Sequence, residues 1–223
     1  MKKPSFNVSQ DGKTVEVDGT VYSLIPKQGS FSQLFQGDYG QGFRQGTFGE
    51  QLTFRHALEI HEDISEAKAA LEVARRELTL GNTVFYRGRY LFAVDNLDMV
   101  EEGGLGKMIV RETVAGGDKI NGVFFSKNGN LRAIPYQEDI TEEYNAFLIS
   151  GSTYPVFATG DRMASEKLAK ILDKTKDRIF LSVPRNELTF PAFGNIGHKL
   201  QVFGGNYARD YPQAISFGVR KSN

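Results

Sequence analysis

The sequence predicts an α+β domain made mostly of antiparallel strands, with two main helices. Short runs of alternating apolar and polar residues are separated by the turn dipeptides Asp11-Gly12, Asp18-Gly19 and Asn128-Gly129. Such dipeptides favour tight hairpins, because they tolerate the positive φ that these turns require. No segment is rich enough in Pro and Ser to mark a linker, so the 223 residues are expected to form one domain, 1–223.

The two main helices are predicted at 64–78 and 162–174, each from a capping signal and an apolar stripe. Asp161 can accept hydrogen bonds from the unpaired N–H groups of a first turn. Asp63-Ile-Ser-Glu66 similarly resembles a capping box. Apolar residues then follow at helical spacing: Ala67, Leu71, Ala74 and Leu78 in the first helix, and Ala164, Leu168, Ile171 and Leu172 in the second.

A β-α-β unit is predicted around the second helix. Residues 154–159 are interpreted as a short buried strand, Gly160-Asp161 as the turn into the helix, and 178–183 as the returning strand. Two parallel strands joined in this way cross over with a right hand in nearly all proteins.

The remaining chain is predicted to be mainly β. Segment 51–62 alternates apolar and polar residues and is predicted as a strand, although a helix is compatible with the same residues. A short helix is predicted at 140–149. Further strands are predicted at 6–9, 14–17, 21–25, 107–114, 122–126, 131–134, 198–203 and 214–219, and a hairpin at 83–94.

Composition excludes several classes of protein. The 27 basic residues equal the 27 acidic residues in number, so no overall charge attracts the chain to nucleic acid or to an anionic membrane. The absence of cysteine excludes disulfides, thiolate metal sites and a cysteine nucleophile. No apolar run reaches transmembrane length and no signal peptide is evident, so a soluble cytoplasmic protein is expected.

Segment 28–49 is rich in glycine and in aromatic residues. A long segment without regular structure is uncommon in a compact domain and is often functional. Base stacking is one interpretation, but Arg44 supplies the only cation. An arm that contacts a partner is preferred, and an irregular segment that folds back into the core is the alternative. The predicted partner-binding residues are Phe31, Phe35, Tyr39, Phe43, Arg44 and Phe48.

A ligand site is predicted where the strand at 154–159 meets the following helix. Thr159, Gly160, Asp161 and Arg162 occupy this position. Gly160 permits close approach of the backbone, and Arg162 could bind a phosphate with two hydrogen bonds. Asp161 places a negative charge close to where the phosphate would bind, and a simple capped helix explains the same residues.

Metal chemistry has little support in the sequence. On a strand, Glu59, His61 and Asp63 would share one face and could hold a cation. Only one histidine takes part, and no fourth ligand is evident, so no metal is expected.

A second site hypothesis depends on the order of a few residues. Arg87 or Arg89, then Ser152-Thr153 leading into a strand, then Glu187, resembles the Arg, Ser-Thr-Ser, Glu arrangement of ADP-ribosyltransferases, with Tyr154 in place of the second Ser. The resemblance implies NAD as cofactor. The Arg would hold the dinucleotide phosphate, the Ser-Thr edge would shape the nicotinamide pocket, and Glu187 would stabilise an oxocarbenium-like centre.

The sequence favours a non-catalytic protein that binds itself or another protein, of the kind found among phage- or virus-type structural and accessory subunits. This interpretation implies a homo-oligomer, no cofactor, and 28–49 as the contacting segment. An NAD-consuming transferase and a phosphate- or nucleotide-binding domain are the alternatives.

Overall fold

The computed structural model describes residues 3–40, 42–96, 104–136, 141–144, 149, 152–175, 179–182, 188–196, 199–205 and 214–221. Within these ranges the chain forms six helices and seventeen strands, most of them antiparallel. The predicted α+β class is therefore confirmed.

The smaller sheet has five strands and is antiparallel throughout. Its order is β1-β2-β3-β17-β5, so the last strand of the described chain lies between two strands from the N-terminal part. The predicted N-terminal meander is confirmed. The strands are β1 (Asn7–Val8), β2 (Thr14–Val17), β3 (Thr20–Ser23), β5 (Arg44–Gln45) and β17 (Gly218–Lys221).

The larger sheet has the main order β12-β13-β15-β14-β7-β8-β11-β10-β9, and β4, β6 and β16 join it at its side. The pairs β13–β15 and β6–β16 are parallel, and the other described pairs are antiparallel. The strands are β4 (Lys27–Gly29), β6 (Thr79–Leu80), β7 (Thr83–Arg87), β8 (Tyr90–Asp95), β9 (Gly117–Ile120), β10 (Val123–Ser126), β11 (Leu131–Pro135), β12 (Thr141–Tyr144), β13 (Ile179–Ser182), β14 (Leu188–Ile196), β15 (Lys199–Gly205) and β16 (Ala214–Ser216).

The helices are α1 (Phe31–Phe35), α2 (Phe48–Ile60), α3 (Ser65–Arg76), α4 (Gly104–Val114), α5 (Tyr154–Thr159) and α6 (Ala164–Thr175). Helices α3 and α6 confirm the two predicted main helices. Helix α2 contributes to two hydrophobic cores: Phe48 and Leu52 pack with the larger sheet, α5 and α6, whereas Phe54 and Leu58 pack with the smaller sheet and α3.

The prediction of a strand at 51–62 is wrong, because these residues lie in α2 and in the turn after it. Ten of the thirteen residues of α2 are buried, so the helix has no polar stripe from which its period could be recognised. A start signal was nevertheless present. The Thr47 side chain accepts from the Glu50 N–H at 3.3 Å, and the Glu50 carboxylate accepts from the Thr47 N–H at 2.7 Å, which is a capping box.

The first strand of the predicted β-α-β unit is also wrong, because residues 154–159 form helix α5. All six residues are buried, so this helix too lacks an amphipathic pattern. Its sequence signals are Pro155 in the first turn and Gly160 in a left-handed conformation at the C-terminal end. The returning strand is present as β13, and its parallel partner is β15 rather than 154–159.

Two further predictions are wrong. Residues 107–114 belong to helix α4, in which Met108, Ile109 and Glu112 form the buried face at helical spacing. The predicted helix at 140–149 contains strand β12, which pairs with β13.

A buried ion pair joins the larger sheet to α5. Arg132 on β11 is 0% exposed and Asp95 at the end of β8 is 7% exposed. The two side chains form two hydrogen bonds, at 2.5 and 3.0 Å. Arg132 also donates to the carbonyl oxygen of Phe157 at 2.7 Å, and Asp95 accepts from the Thr83 hydroxyl at 2.6 Å. The buried charges are therefore paired, as burial requires.

Removal of the acid of this pair should destabilise the fold strongly. We expect Asp95→Ala to lower the free energy of unfolding by about 3–5 kcal/mol, because the buried guanidinium of Arg132 would lose its counter-charge. Urea denaturation followed by far-UV circular dichroism measures the change. Asp118→Ala is the matched control, since that carboxylate is exposed. Equal stability of the two variants would contradict the assignment.

A buried histidine makes the fold sensitive to acid. His56 on α2 is 2% exposed, and desolvation lowers its pKa from 6.5 to about 4, with Lys167 and Lys170 contributing repulsion. The unfolded chain therefore binds a proton at a higher pH than the folded chain does. The stabilising effect of neutral His56 is complete above pH 6.5 and is lost as the pH falls toward 4.

We expect His56→Gln to remove this dependence on pH. The difference in unfolding free energy between the wild type and the variant should shrink by about 3 kcal/mol from neutral pH to pH 4, since one pKa unit corresponds to about 1.4 kcal/mol. Urea denaturation at several pH values measures it. Parallel curves for the two proteins would show that another group is responsible.

Candidate ligand-binding site

A cleft of about 480 Å³ lies between one end of the larger sheet and the connection from α5 to α6. Three parts of the chain line it: the start of β9, the β10–β11 hairpin, and the segment Gly160–Arg162. The polar residues among them are Asp118, Ser126, Lys127, Asn128 and Arg162.

The β10–β11 hairpin gives the cleft a rigid wall. The Asn128 side-chain oxygen accepts from the Ser126 hydroxyl at 2.7 Å and from the Asn130 N–H at 3.0 Å. Gly129 adopts φ +75°, as a tight turn after asparagine requires. These bonds hold Lys127 and Asn128 at the tip of the hairpin.

The opposite wall depends on a glycine. Gly160 ends α5 with φ +71°, and a Cβ atom at this position would lie 2.7 Å from Nη1 of Arg132. Arg132 cannot move aside, because its guanidinium is bonded to Asp95 and to the end of α5. The buried ion pair thus lies directly behind the wall of the cleft.

The charges of the cleft differ from those of the core in being unpaired. Arg162, Lys127 and Asp118 are exposed, and none of them forms an ion pair or side-chain hydrogen bond with another residue of the described chain. One anion and two cations therefore face solvent around the cleft.

The sequence suggested that the negative charge of Asp161 would repel an anion at this site, but the carboxylate is paired with another group. The Asp161 carboxylate accepts from Nζ of Lys167 at 2.5 Å and from the Met163 N–H at 2.8 Å. The negative charge is therefore neutralised on the side of α6. Thr159 is buried, and its hydroxyl donates to the carbonyl oxygen of Pro155. Of the four residues of the predicted ligand site, Gly160 and Arg162 line the cleft.

The predicted partner-binding segment 28–49 has structure of its own. It contains most of β4, all of α1 and β5, and the first residues of α2. Phe48 is 1% exposed and Phe35 packs on a buried cluster, so neither ring projects from the protein as an arm would. Tyr39 donates to the Leu34 carbonyl oxygen, and the ring of Phe43 lies under the guanidinium of Arg220. Arg44 forms an ion pair with Glu50. The Phe31 side chain lies outside the described part. Their contact with a partner stays a prediction.

The residues that resemble an ADP-ribosyltransferase site are placed differently from what that resemblance implies. Arg87 lies over the ring of Tyr136, and Arg89 is exposed in the turn between β7 and β8. Ser152 and Thr153 lead into helix α5 rather than into a strand. Glu187 lies outside the described residues.

Two of the three residues considered for a metal are engaged by other groups of the chain. Glu59 pairs with Arg55 and Arg75, and Nε2 of His61 lies 2.9 Å from the carbonyl oxygen of Pro4. In the described ranges no group of three or more His, Asp or Glu side chains could hold a metal ion.

Comparison with known proteins identifies the fold. No protein-family model and no curated protein matches this chain. One solved chain that is similar to it is described as "Accommodation of massive sequence variation in Nanoarchaeota by the C-type lectin fold". The two chains have 12% sequence identity and a TM-score of 0.50, over 88% of this chain and 97% of the other. The fold is C-type lectin-like.

The lectin-like fold is an α+β fold, in agreement with the class predicted from the sequence. In the part of the chain that the structure describes, no helix combines the length and apolar character needed to cross a membrane.

Sequence reasoning missed the residues of the cleft that lie on the lectin-like sheet. Asn128-Gly129 was recognised as a hairpin turn, but nothing in the sequence connects Lys127 or Asp118 with Arg162. These residues are distant in the chain, and only the packing of α5 against β11 brings them to one cleft.

We expect Gly160→Ala to destabilise the protein by about 1–3 kcal/mol, because an alanine here meets both an unfavourable φ and the guanidinium of Arg132. Thermal unfolding followed by circular dichroism measures the loss. Arg162→Ala, two residues further along at an exposed position, should leave the melting temperature unchanged. An unchanged melting temperature for Gly160→Ala would show that Arg132 can move.

Proposed function

We propose that this chain is a non-catalytic binding protein, and that the cleft between the β10–β11 hairpin and Gly160–Arg162 is its ligand site. Two cations, Lys127 and Arg162, line a polar cleft that has a rigid wall, and neither has an ion-pair partner among the described residues. This observation supports the proposal. The C-type lectin-like fold is consistent with a binding protein.

The chemistry of the cleft favours a ligand with a phosphate or carboxylate group. Arg162 can donate two parallel hydrogen bonds to such a group, and Lys127 adds a second positive charge. Asp118 can accept only, so it favours a hydroxyl or amino group elsewhere on the same ligand. The ligand proposed here is therefore a phosphorylated or carboxylated molecule that also carries hydrogen-bond donors.

A difference between the charges of the core and those of the cleft supports the same proposal. The solved lectin-fold chain is described as accommodating massive sequence variation. In the described part of this chain, the exposed charges of the cleft make no side-chain bond to the framework, while the framework charges Arg132 and Asp95 are bonded to one another. We infer that Asp118, Lys127 and Arg162 can change with the ligand without loss of the fold.

Two earlier hypotheses are not part of the proposal. Self-assembly through segment 28–49 is not proposed, because Phe48 is buried and Phe35 packs against a buried cluster of the same chain. NAD chemistry is left out because Ser152-Thr153 begins a helix and does not form the strand edge that the resemblance requires.

We expect the wild type to bind inorganic phosphate and Arg162→Ala to bind it about tenfold or more weakly, since a hydrogen bond to a charged group contributes about 1.5–3 kcal/mol. Isothermal titration calorimetry at low salt measures both constants. Lys127→Ala should show a smaller loss, because it removes one positive charge and no paired hydrogen bonds.

Lys119→Ala is the matched control for this experiment. Lys119 is an exposed cation on β9, next to Asp118, but it does not line the cleft. Its loss changes the net charge by the same amount, so its affinity should stay close to that of the wild type. Equal losses in Lys119→Ala and Arg162→Ala would reduce the effect to general electrostatic attraction and contradict the proposal.

A further inference from the structure

A second cavity, of about 320 Å³, lies on the helical side of the molecule. Helix α2 contributes Thr53 and His56 to its wall, and α6 contributes Lys167, with Met163 just before that helix. The N-terminal segment and the turn between β2 and β3 close it, through Lys3, Pro4 and Asp18. Among the described residues, the cavity shares no lining residue with the cleft described above.

His56 gives this cavity an unsatisfied polar group. The side chain is 2% exposed, and Nε2 is buried without a hydrogen-bond partner in the described part of the chain. A buried polar atom without a partner is costly, and native proteins contain few of them. At neutral pH the imidazole is uncharged, so it offers one N–H donor and one acceptor nitrogen.

The cations of the cavity have unused capacity. Lys167 donates to Asp161 at 2.5 Å and to the Thr53 hydroxyl at 2.9 Å, and an ammonium group carries three donors. Lys3 has no side-chain partner within the described ranges. The acid that lines the cavity, Asp18, already accepts from the Ser5 N–H at 3.0 Å and from the Ser5 hydroxyl at 3.1 Å through the same oxygen.

We propose that this cavity binds the carboxylate of a small organic acid. Lys3 and Lys167 would provide the positive charge, and His56 a neutral N–H donor. Pro4 and Met163 would cover the apolar part of the molecule.

A monoanion fits the charge of the cavity better than a phosphate dianion does. Lys3 and Lys167 are in the cavity region, and Lys170 is near enough to repel a proton on His56. Against these three cations stand two acids, Asp18 and Asp161, so the formal excess is one positive charge, which matches a monoanion and not a dianion. The neutral imidazole adds a donor without adding charge. The N–H groups of Lys3, Lys167 and His56 are sufficient to donate hydrogen bonds to the two oxygens of a carboxylate.

The N-terminal segment closes the cavity through contacts that are independent of the ligand. The carbonyl oxygen of Pro4 lies 2.9 Å from Nε2 of His61, and the ring of Phe6 stacks on His61 at 4.9 Å. Asp18 N–H also donates to the Ser5 hydroxyl at 2.9 Å. Loss of Lys3 should therefore remove a donor and leave the wall in place.

The chain contains three histidines, so nuclear magnetic resonance of the imidazole rings can follow His56 directly. Propionate is the probe, at neutral pH and constant ionic strength, and His56→Gln assigns the signals. We expect the His56 signals to shift and saturate. Acetate should bind more weakly, because it lacks the methylene group that would contact Pro4 and Met163.

Lys3→Met tests the assignment, since its side chain is exposed and its loss should not disturb folding. We expect it to bind propionate about tenfold or more weakly, as for the loss of a charge-assisted hydrogen bond. Lys68→Met, at an exposed position of α3 that does not line the cavity, is the matched control and should bind as the wild type does.

Three outcomes would overturn the proposal. They are His56 signals that do not respond to propionate, equal shifts with sodium chloride, and an unchanged affinity in Lys3→Met. Tighter binding of inorganic phosphate than of propionate would overturn the assignment to a carboxylate.

Discussion

The guanidinium of Arg132 connects parts of this fold that the chain keeps far apart. It is fully buried, so its charge must be matched inside the protein, and Asp95 supplies that charge through two hydrogen bonds. Thr83 donates to Asp95 and in turn accepts from the first N–H of α2, that of Phe48, at 3.0 Å. A single network thus joins β11, β8, β7, α2 and α5, and none of these elements can shift without leaving a buried polar group unpaired.

Helix α2 is the second element on which the architecture depends, because both main cores pack against it. Its Gln51 side chain bonds to the backbone of Phe217, as donor at 2.8 Å and as acceptor at 3.2 Å, which attaches the C-terminal strands to the helix. Near its other end, Glu59 is buried against Arg55 and Arg75, which ties α2 to α3. Because α2 is buried on most of its sides, it has no exposed polar face from which an amphipathic helix could be recognised.

The two proposed binding sites lie on either side of the connection between α5 and α6. Gly160 and Arg162 face the cleft, whereas Met163 faces the second cavity, and the Asp161–Lys167 pair fixes the segment between them. Two ion pairs, Arg132–Asp95 and Asp161–Lys167, thus lie close to the sites, and their charges are matched within the protein. Within the described residues, Asp118, Lys127 and Arg162 in the cleft and Lys3 in the cavity have no side-chain partner, and we propose that these charges bind the ligands.

The sequence by itself determined the α+β class, the N-terminal meander, the hairpin turns, and helices α3 and α6, because each depends on local signals. Asp-Gly and Asn-Gly favour tight turns, and an apolar stripe opposite a polar face marks a half-buried helix. Gly160 and Arg162 were predicted as ligand residues from a strand that proved to be helix α5, and their binding of a ligand stays a prediction.

The tertiary structure decided what depends on distant contacts. Helices α2 and α5 are buried on nearly all sides, so their residues carry no period that separates helix from strand, and only their packing identifies them. No local pattern predicts that Arg132 pairs with Asp95 or that Asp161 pairs with Lys167. The same holds for Lys127 and Arg162, which line one cleft. Local patterns specify elements, whereas the burial of charge and apolar surface specifies how they meet.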